Sequence, residues 1–190
     1  MRAYLYDADG VLLEGGKFST RMAVQLGIPP EHIRRFFEGP FLECVEGKRD
    51  LKEELSKALE HSGLEHSPDQ LMKMWFEDCK LVDAVAADIM KHRQQGSICC
   101  LATNQEKHRL AFLRQKFGLD RMFDHIFASC EMGCRKPQHE FFEHIHATLD
   151  IPKEEMILFD DRQENIDAAL VFGIKARLWT TTSSFFPHTP

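Results

Sequence analysis

The chain has 190 residues, 43% of them hydrophobic and 28% charged, with a formal net charge of −6 at pH 7. That length buries a core without disulfide or metal staples, and the balance of apolar and charged residues excludes global disorder. The acidic charge argues against a dedicated binder of nucleic acid or anionic membrane, which carries a basic excess.

In chain order, the first short apolar run is Ala3 to Tyr6, which ends on Asp7-Ala8-Asp9-Gly10. From about residue 15 to 90 the pattern is helical, over 21–26, 30–37, 50–61, 68–79 and 82–92. Gly27, Gly39-Pro40, Gly63 and Pro68 punctuate it. Strand-like runs then return. Ile98 to Ala102 leads to Thr103-Asn104, His125 to Ala128 leads to Ser129, and Met156 to Phe159 leads to Asp160-Asp161. A last run, Ile174 to Trp179, follows Gly173, and helical patterns over 105–117, 137–149 and 163–172 fill the gaps.

Continuous apolar runs of this length read as strands buried on both faces of a parallel sheet. Alternation of such strands with helices predicts a doubly wound, mainly parallel α/β domain of Rossmann-like type. In that architecture the polar residues ending the strands meet at one edge, where ligands bind. The stretch 15–89 is then an all-helical module inserted into a core made of 1–14 and 90–190.

The strand ends carry the chemistry. Asp7 and Asp9 are two apart, a spacing that aims both carboxylates at one site, and Gly10 permits the turn that follows. Asp160 and Asp161 end another strand. Three or four carboxylates at one edge repel strongly unless a hard, oxygen-liking cation such as Mg²⁺ joins them. Thr103 and Asn104 add neutral donors and Lys136 a cation. A nucleophile, an acid, a metal, a lysine and hydroxyl or amide donors are the parts needed for phosphoryl transfer through a carboxylate.

Four segments, DADGV at 7–11, LATN at 101–104, RKP at 135–137 and FDDRQEN at 159–165, resemble the four signature motifs of the haloacid dehalogenase-like hydrolases. The helical insert sits where the subfamily with an α-helical cap between motifs one and two places its cap. The resemblance implies that Asp7 attacks phosphorus and carries it as an acyl phosphate, while Asp9 protonates the leaving alcohol and later deprotonates water. It implies Mg²⁺ held by Asp7, the backbone carbonyl of Asp9 and Asp161, with Asp160 orienting metal-bound water. Thr103, Asn104 and Lys136 would hold the phosphate oxygens, with Gly10 and Asn165 as supports. A loop of the cap reaches over the site in such proteins, and Gly47, Lys48 and Arg49 are its candidates here, with Phe36, Phe41 and Trp75 next in line.

Competing readings are fewer than the motifs suggest. His139 and His144 are five apart, roughly 140° around a helix, and cannot share a metal from one face. A receiver domain has its acidic pair first in the chain, whereas the adjacent pair here comes last. A dehalogenase of the same family needs no leaving-group acid, so Asp9 argues for phosphate. A phosphomutase and a catalytically idle scaffold use the same core and stay as alternatives. The expectation is a Mg²⁺-dependent phosphomonoesterase acting on a small phosphorylated metabolite. It is expected to be cytoplasmic, monomeric or weakly dimeric, with no nucleic-acid or membrane partner. No apolar run reaches the ~18 residues of a membrane span.

Overall fold

The computed structural model describes residues 1–15, 25–60 and 64–180. Strand β1 (Ala3–Tyr6) and the two-residue β2 (Leu13–Glu14) precede helices α1 (Pro30–Phe37), α2 (Pro40–Val45), α3 (Leu51–Glu60) and α4 (Pro68–Phe76). The chain continues through β3 (Lys80–Leu81) and α5 (Asp83–Gln94) to β4 (Ile98–Thr103), α6 (Lys107–Phe117) and the short α7 (Leu119–Met122). Next come β5 (His125–Ala128), α8 (Ser129–Met132) and α9 (His139–Leu149). A 3₁₀ turn (Lys153–Glu155) then leads to β6 (Met156–Asp160), α10 (Gln163–Phe172) and β7 (Lys175–Leu178).

The apolar runs pair as one parallel sheet in the order β5-β4-β1-β6-β7, so the expected α/β fold is present. Its side chains divide by parity, as a strand period of two requires. Ala3 and Leu5 share one core with Cys100, Ala102, Phe141, Phe142 and Phe172. Tyr6 shares the opposite core with Cys99, Leu101, Val85, Ile89 and Leu113. Phe141 and Phe142 are fully buried, each contributing roughly 1.5–3 kcal/mol of transfer free energy. Tyr6 lies opposite both Leu101 and Phe159, so the chain leaves β4, β1 and β6 side by side at one edge.

Helices α1 to α4 form a third core of their own around Ile33, Cys44, Leu51, Leu55, Leu71 and Phe76. The antiparallel pair β2–β3 sets Leu13 opposite Leu81, so the helical segment departs and returns at adjacent points. Helix α5 packs with the sheet through Val85 and Ile89, although the sequence boundary at residue 89 groups it with the insert. Helix α2 is not anticipated, because Gly39-Pro40 reads as a break. Pro40 instead occupies the first helical turn, where its missing N–H has no partner to lose. Most of the helix expected over 21–26 lies outside the described residues.

Candidate active site

Asp7 is the first residue beyond β1, and its backbone N–H donates to Phe159 O at 2.9 Å, which fixes it against β6. Its side chain is buried, with Oδ1 accepting from the Ala8 N–H at 2.7 Å and facing Lys136 Nζ at 3.0 Å. Asp160, the last residue of β6, is fully buried. Its Oδ2 accepts from Lys136 Nζ at 2.5 Å, and its Oδ1 accepts from the Arg162 N–H and from Asn165 Nδ2, each at 2.9 Å. Asp161 follows as the exposed member. One ligand oxygen from each of Asp7, Asp160 and Asp161 lies within 4.8 Å of the others, the one such acidic or His/Cys cluster among the described residues. Gly10 has φ +81°, and a Cβ there would collide with the Asp161 carboxylate, so both backbone and space require glycine.

Charge explains how this packing persists. Burial pushes the Asp7 carboxyl above its ordinary range, against the pull of Lys136, while Asp160 and Asp9 add to the push. Burial pulls the Lys136 ammonium down, but Asp7 and Asp160 outweigh it and hold it above its usual value. Three carboxylates and one ammonium leave two negative charges, a match for a hard dication among oxygen ligands. Asn165 is buried, and its Nδ2 donates to both oxygens of Asp160.

The donor residues separate in the structure. Thr103 is buried at the end of β4 with no hydrogen-bond partner on Oγ1 among the described residues, a hydroxyl available to a ligand. Asn104 is different. Its Nδ2 donates to Lys136 O at 2.8 Å and its Oδ1 accepts from the Lys136 N–H at 2.9 Å. That side chain braces the backbone of Lys136 with one of its two amide N–H donors, and Asn104 lines the cavity that holds Asp7 and Asp9. The helix that Asn104 could have capped is capped by Glu106, which accepts from the N–H groups of His108 and Arg109.

Asp9 meets two residues that the motifs do not contain. Arg109 donates to both its oxygens, at 2.5 and 2.6 Å, and Gln105 Nε2 donates to Oδ2 at 2.7 Å. Burial raises the Asp9 carboxyl, but the Arg109 charge and these hydrogen bonds outweigh it and hold the group below its usual value. The signal in the sequence was the i, i+4 spacing of Gln105 and Arg109 directly after LATN.

A cavity of about 380 Å³ opens over these groups, floored by Asp7, Asp9 and Asp161 and walled by Phe37, Phe41 and Trp75 of the helical segment. Phe37 also lines a second, apolar cavity of about 480 Å³ beside Ile28, Ile33, Phe36, Leu55 and Leu71. Gly47, Lys48 and Arg49, the expected substrate loop, line neither. Glu46 accepts from Arg135 Nε, Gln138 Nε2 and Lys48 Nζ, and a Cβ on Gly47 would strike the Cys130 carbonyl. Arg49 pairs with Glu43. The loop therefore docks the helical segment against residues 130–138.

A family model described as a haloacid dehalogenase-like hydrolase matches residues 1–173. The chain belongs to that family of hydrolases. A sesquiterpene phosphatase, astK of Aspergillus oryzae, is 34% identical over 100 residues, which cover 50% of this chain and 50% of that protein. A drimenol cyclase, drtB of Aspergillus calidoustus, is 33% identical over 58 residues, 30% of this chain and 11% of that one. The chain thus spans half the length, or less, of the curated relatives it matches. Among solved structures, a HAD family enzyme, bt-2542 of Bacteroides thetaiotaomicron, in complex with magnesium and inorganic phosphate, superposes with a TM-score of 0.82. It is 19% identical and is covered over 97% of both chains, a likeness of fold. No helix among the described residues is long and apolar enough to cross a membrane.

Proposed function

We propose that the chain is a Mg²⁺-dependent phosphomonoesterase working through an aspartyl-phosphate on Asp7. The observation that carries this is the clustering of Asp7, Asp160 and Asp161 around one point, with buried Lys136 between Asp7 and Asp160 and Asp9 on the same cavity. Asp7 Oδ attacks phosphorus and the bond to the ester oxygen breaks, the leaving alcohol taking a proton from Asp9. Arg109 holds the free Asp9 carboxyl ionised, so Asp9 gains that proton from solvent as the substrate dianion enters beside it. Water then attacks phosphorus and gives its proton back to Asp9, which frees Asp7 and releases inorganic phosphate. Lys136 and Thr103 hold phosphate oxygens in this reading, with Lys136 damping repulsion between Asp7 and the incoming dianion. Asp7, the Asp9 backbone carbonyl and Asp161 would hold Mg²⁺, which supplies Lewis-acid charge at the phosphoryl group when bound. Asp160 supports from behind, its oxygens already accepting from Lys136, Asn165 and the Arg162 N–H.

The helical segment serves as the cap. Its boundary falls near residue 81 in place of 89, because Val85 and Ile89 pack with the sheet. The aromatic wall and the apolar cavity sharing Phe37 favour an ester whose alcohol carries an apolar body, and the partial match to a sesquiterpene phosphatase agrees. The test is a panel of apolar and polar phosphate esters, with and without Mg²⁺. Turnover that needs Mg²⁺ and Asp7 and favours apolar esters is expected; Asp7-independent turnover would refute the reading.

A further inference from the structure

Arg109 carries no step of its own above, yet it is the most deeply buried arginine among the described residues, 6% exposed, and its guanidinium ends on a residue that chemistry needs. Nη1 donates to Asp9 Oδ2 and Nη2 to Oδ1, a two-pronged contact. Gln105, four residues earlier and just ahead of α6, closes a triangle: its Nε2 donates to Asp9 Oδ2, and its Oε1 accepts from Arg109 Nη1 at 2.9 Å. The bracket is itself rooted. The Arg109 N–H donates to Glu106 Oε1, and the Gln105 N–H donates to Ser129 Oγ, which donates in turn to the Val45 carbonyl of the helical segment.

We propose that Arg109 and Gln105 are positioning residues that fix both oxygens of Asp9, so that proton transfer from the attacking water to Asp9 begins from one orientation. The inference rests on the phosphatase reading. The Asp9 side chain is 52% exposed beside the Gly10 turn, and free of restraint it would sample several rotamers. A planar fork on both oxygens removes that freedom, which a lysine's single ammonium cannot do. Nη1 spends both its N–H groups on Asp9 and Gln105 and Nη2 spends one on Asp9, so most of the guanidinium's donors act through Asp9.

A kinetic double-mutant cycle decides the matter, with an aryl phosphate as probe, because its good leaving group keeps Asp9→Asn measurable. Wild type and Asp7→Asn come first: absence of Asp7-dependent hydrolysis would overturn the phosphatase reading and the inference together. Given such hydrolysis, Arg109→Ala is expected to lower kcat by ~10–100-fold with KM within about twofold. Gln105→Ala should act in the same direction by less. In the Asp9→Asn background, Arg109→Ala should cause no further loss. Arg109→Lys guards against misfolding of the alanine variant. It keeps charge without the fork and should stay as slow as Arg109→Ala while unfolding at nearly the wild-type temperature. Losses that multiply in the double variant, a rise in KM alone, or full rescue by lysine would overturn the inference while leaving the phosphatase reading standing.

Discussion

The edge of the sheet and the helical segment solve opposite problems. At the edge, Asp7, Lys136, Asp160 and Asn165 are buried and linked to one another and to strand-end backbone, so each position is determined several times over. Helices α1 to α4 present Phe37, Phe41 and Trp75 as half-buried rings around two cavities, in edge-on and tilted contacts of 4.9–5.6 Å between centroids. The first region holds charge in a fixed geometry, as catalysis by preorganised electrostatics demands. The second offers adaptable apolar surface, as recognition of a variable ester group demands. Under the proposed phosphatase reading chemistry and selectivity are separable, and substitutions in the two regions should affect different kinetic constants.

The sharpest break comes at Asp7. Asp7→Asn should lower kcat by at least about 10⁴-fold, since an amide cannot form the acyl phosphate. It should leave the fold intact or more heat-stable, because one of several crowded acids is neutralised; thermal unfolding beside steady-state kinetics checks both. Next is Asp161→Ala, expected to raise the Mg²⁺ concentration for half-maximal activity by ~10–100-fold, with chelator silencing the wild type reversibly. Unchanged activity in chelator would remove the metal from the account.

In the helical segment the expected effects are smaller and of another kind. Trp75→Ala or Phe41→Ala should raise KM for an apolar ester by ~10-fold, about 1–3 kcal/mol of lost contact, and barely change kcat for a small one. Lys48→Ala and Arg49→Ala should change either constant less than about twofold, because these side chains pair with Glu46 and Glu43 away from the cavity. A KM effect from Lys48 would restore the loop as a substrate contact and weaken the contrast between regions.

The joint between the regions provides the smallest effect. Asp50 accepts from Lys107 Nζ at 2.6 Å and lies 3.1 Å from His108 Nε2, tying α3 to α6. Burial raises its carboxyl, but the hydrogen bonds from Lys107, His108 and the N–H groups of Glu53 and Lys52 prevail, holding it well below the usual carboxylate range. A depressed folded-state value contributes stability that is present above the unfolded value of ~3.9 and lost as pH falls toward the folded one. Asp50→Asn should therefore cost about 1–2 kcal/mol at pH 7, and the gap from wild type should shrink as the pH drops below ~4. Thermal unfolding of both proteins across that range measures it.

Much of the sheet edge was legible in the sequence, because a parallel strand writes itself as an apolar run and its functional residue stands where the run stops. Asp7, Thr103 and Asp160 follow that rule. Lys136 was placed by its position after the third strand and by motif order; its burial between two carboxylates follows from three-dimensional packing, which local pattern does not encode. The bracing of Lys136 by Asn104 was not legible, because an amide after a strand fits a ligand contact and a backbone brace equally well. Arg109 and Gln105 went unseen because a charged residue on a helix of low amphipathicity reads as solvated surface, and only the partner 100 positions earlier gives it meaning. The loop at Gly47 to Arg49 was sent to the wrong face for a similar reason: its glycine marks a bend, but contact with Cys130 decides which way the bend faces.

The central claim is that Asp7 carries the phosphoryl group while Asp9 serves protons, and covalent trapping tests it most directly. Wild-type protein should be quenched in acid during turnover of an aryl phosphate with Mg²⁺, treated with borohydride and mapped by peptide mass. The account predicts reduction of the Asp7 acyl phosphate to homoserine at position 7, dependent on substrate and absent from Asp7→Asn, with Asp9 unmodified. Substrate-dependent reduction at Asp9 or Asp161, or turnover by Asp7→Asn at the wild-type rate, would contradict it.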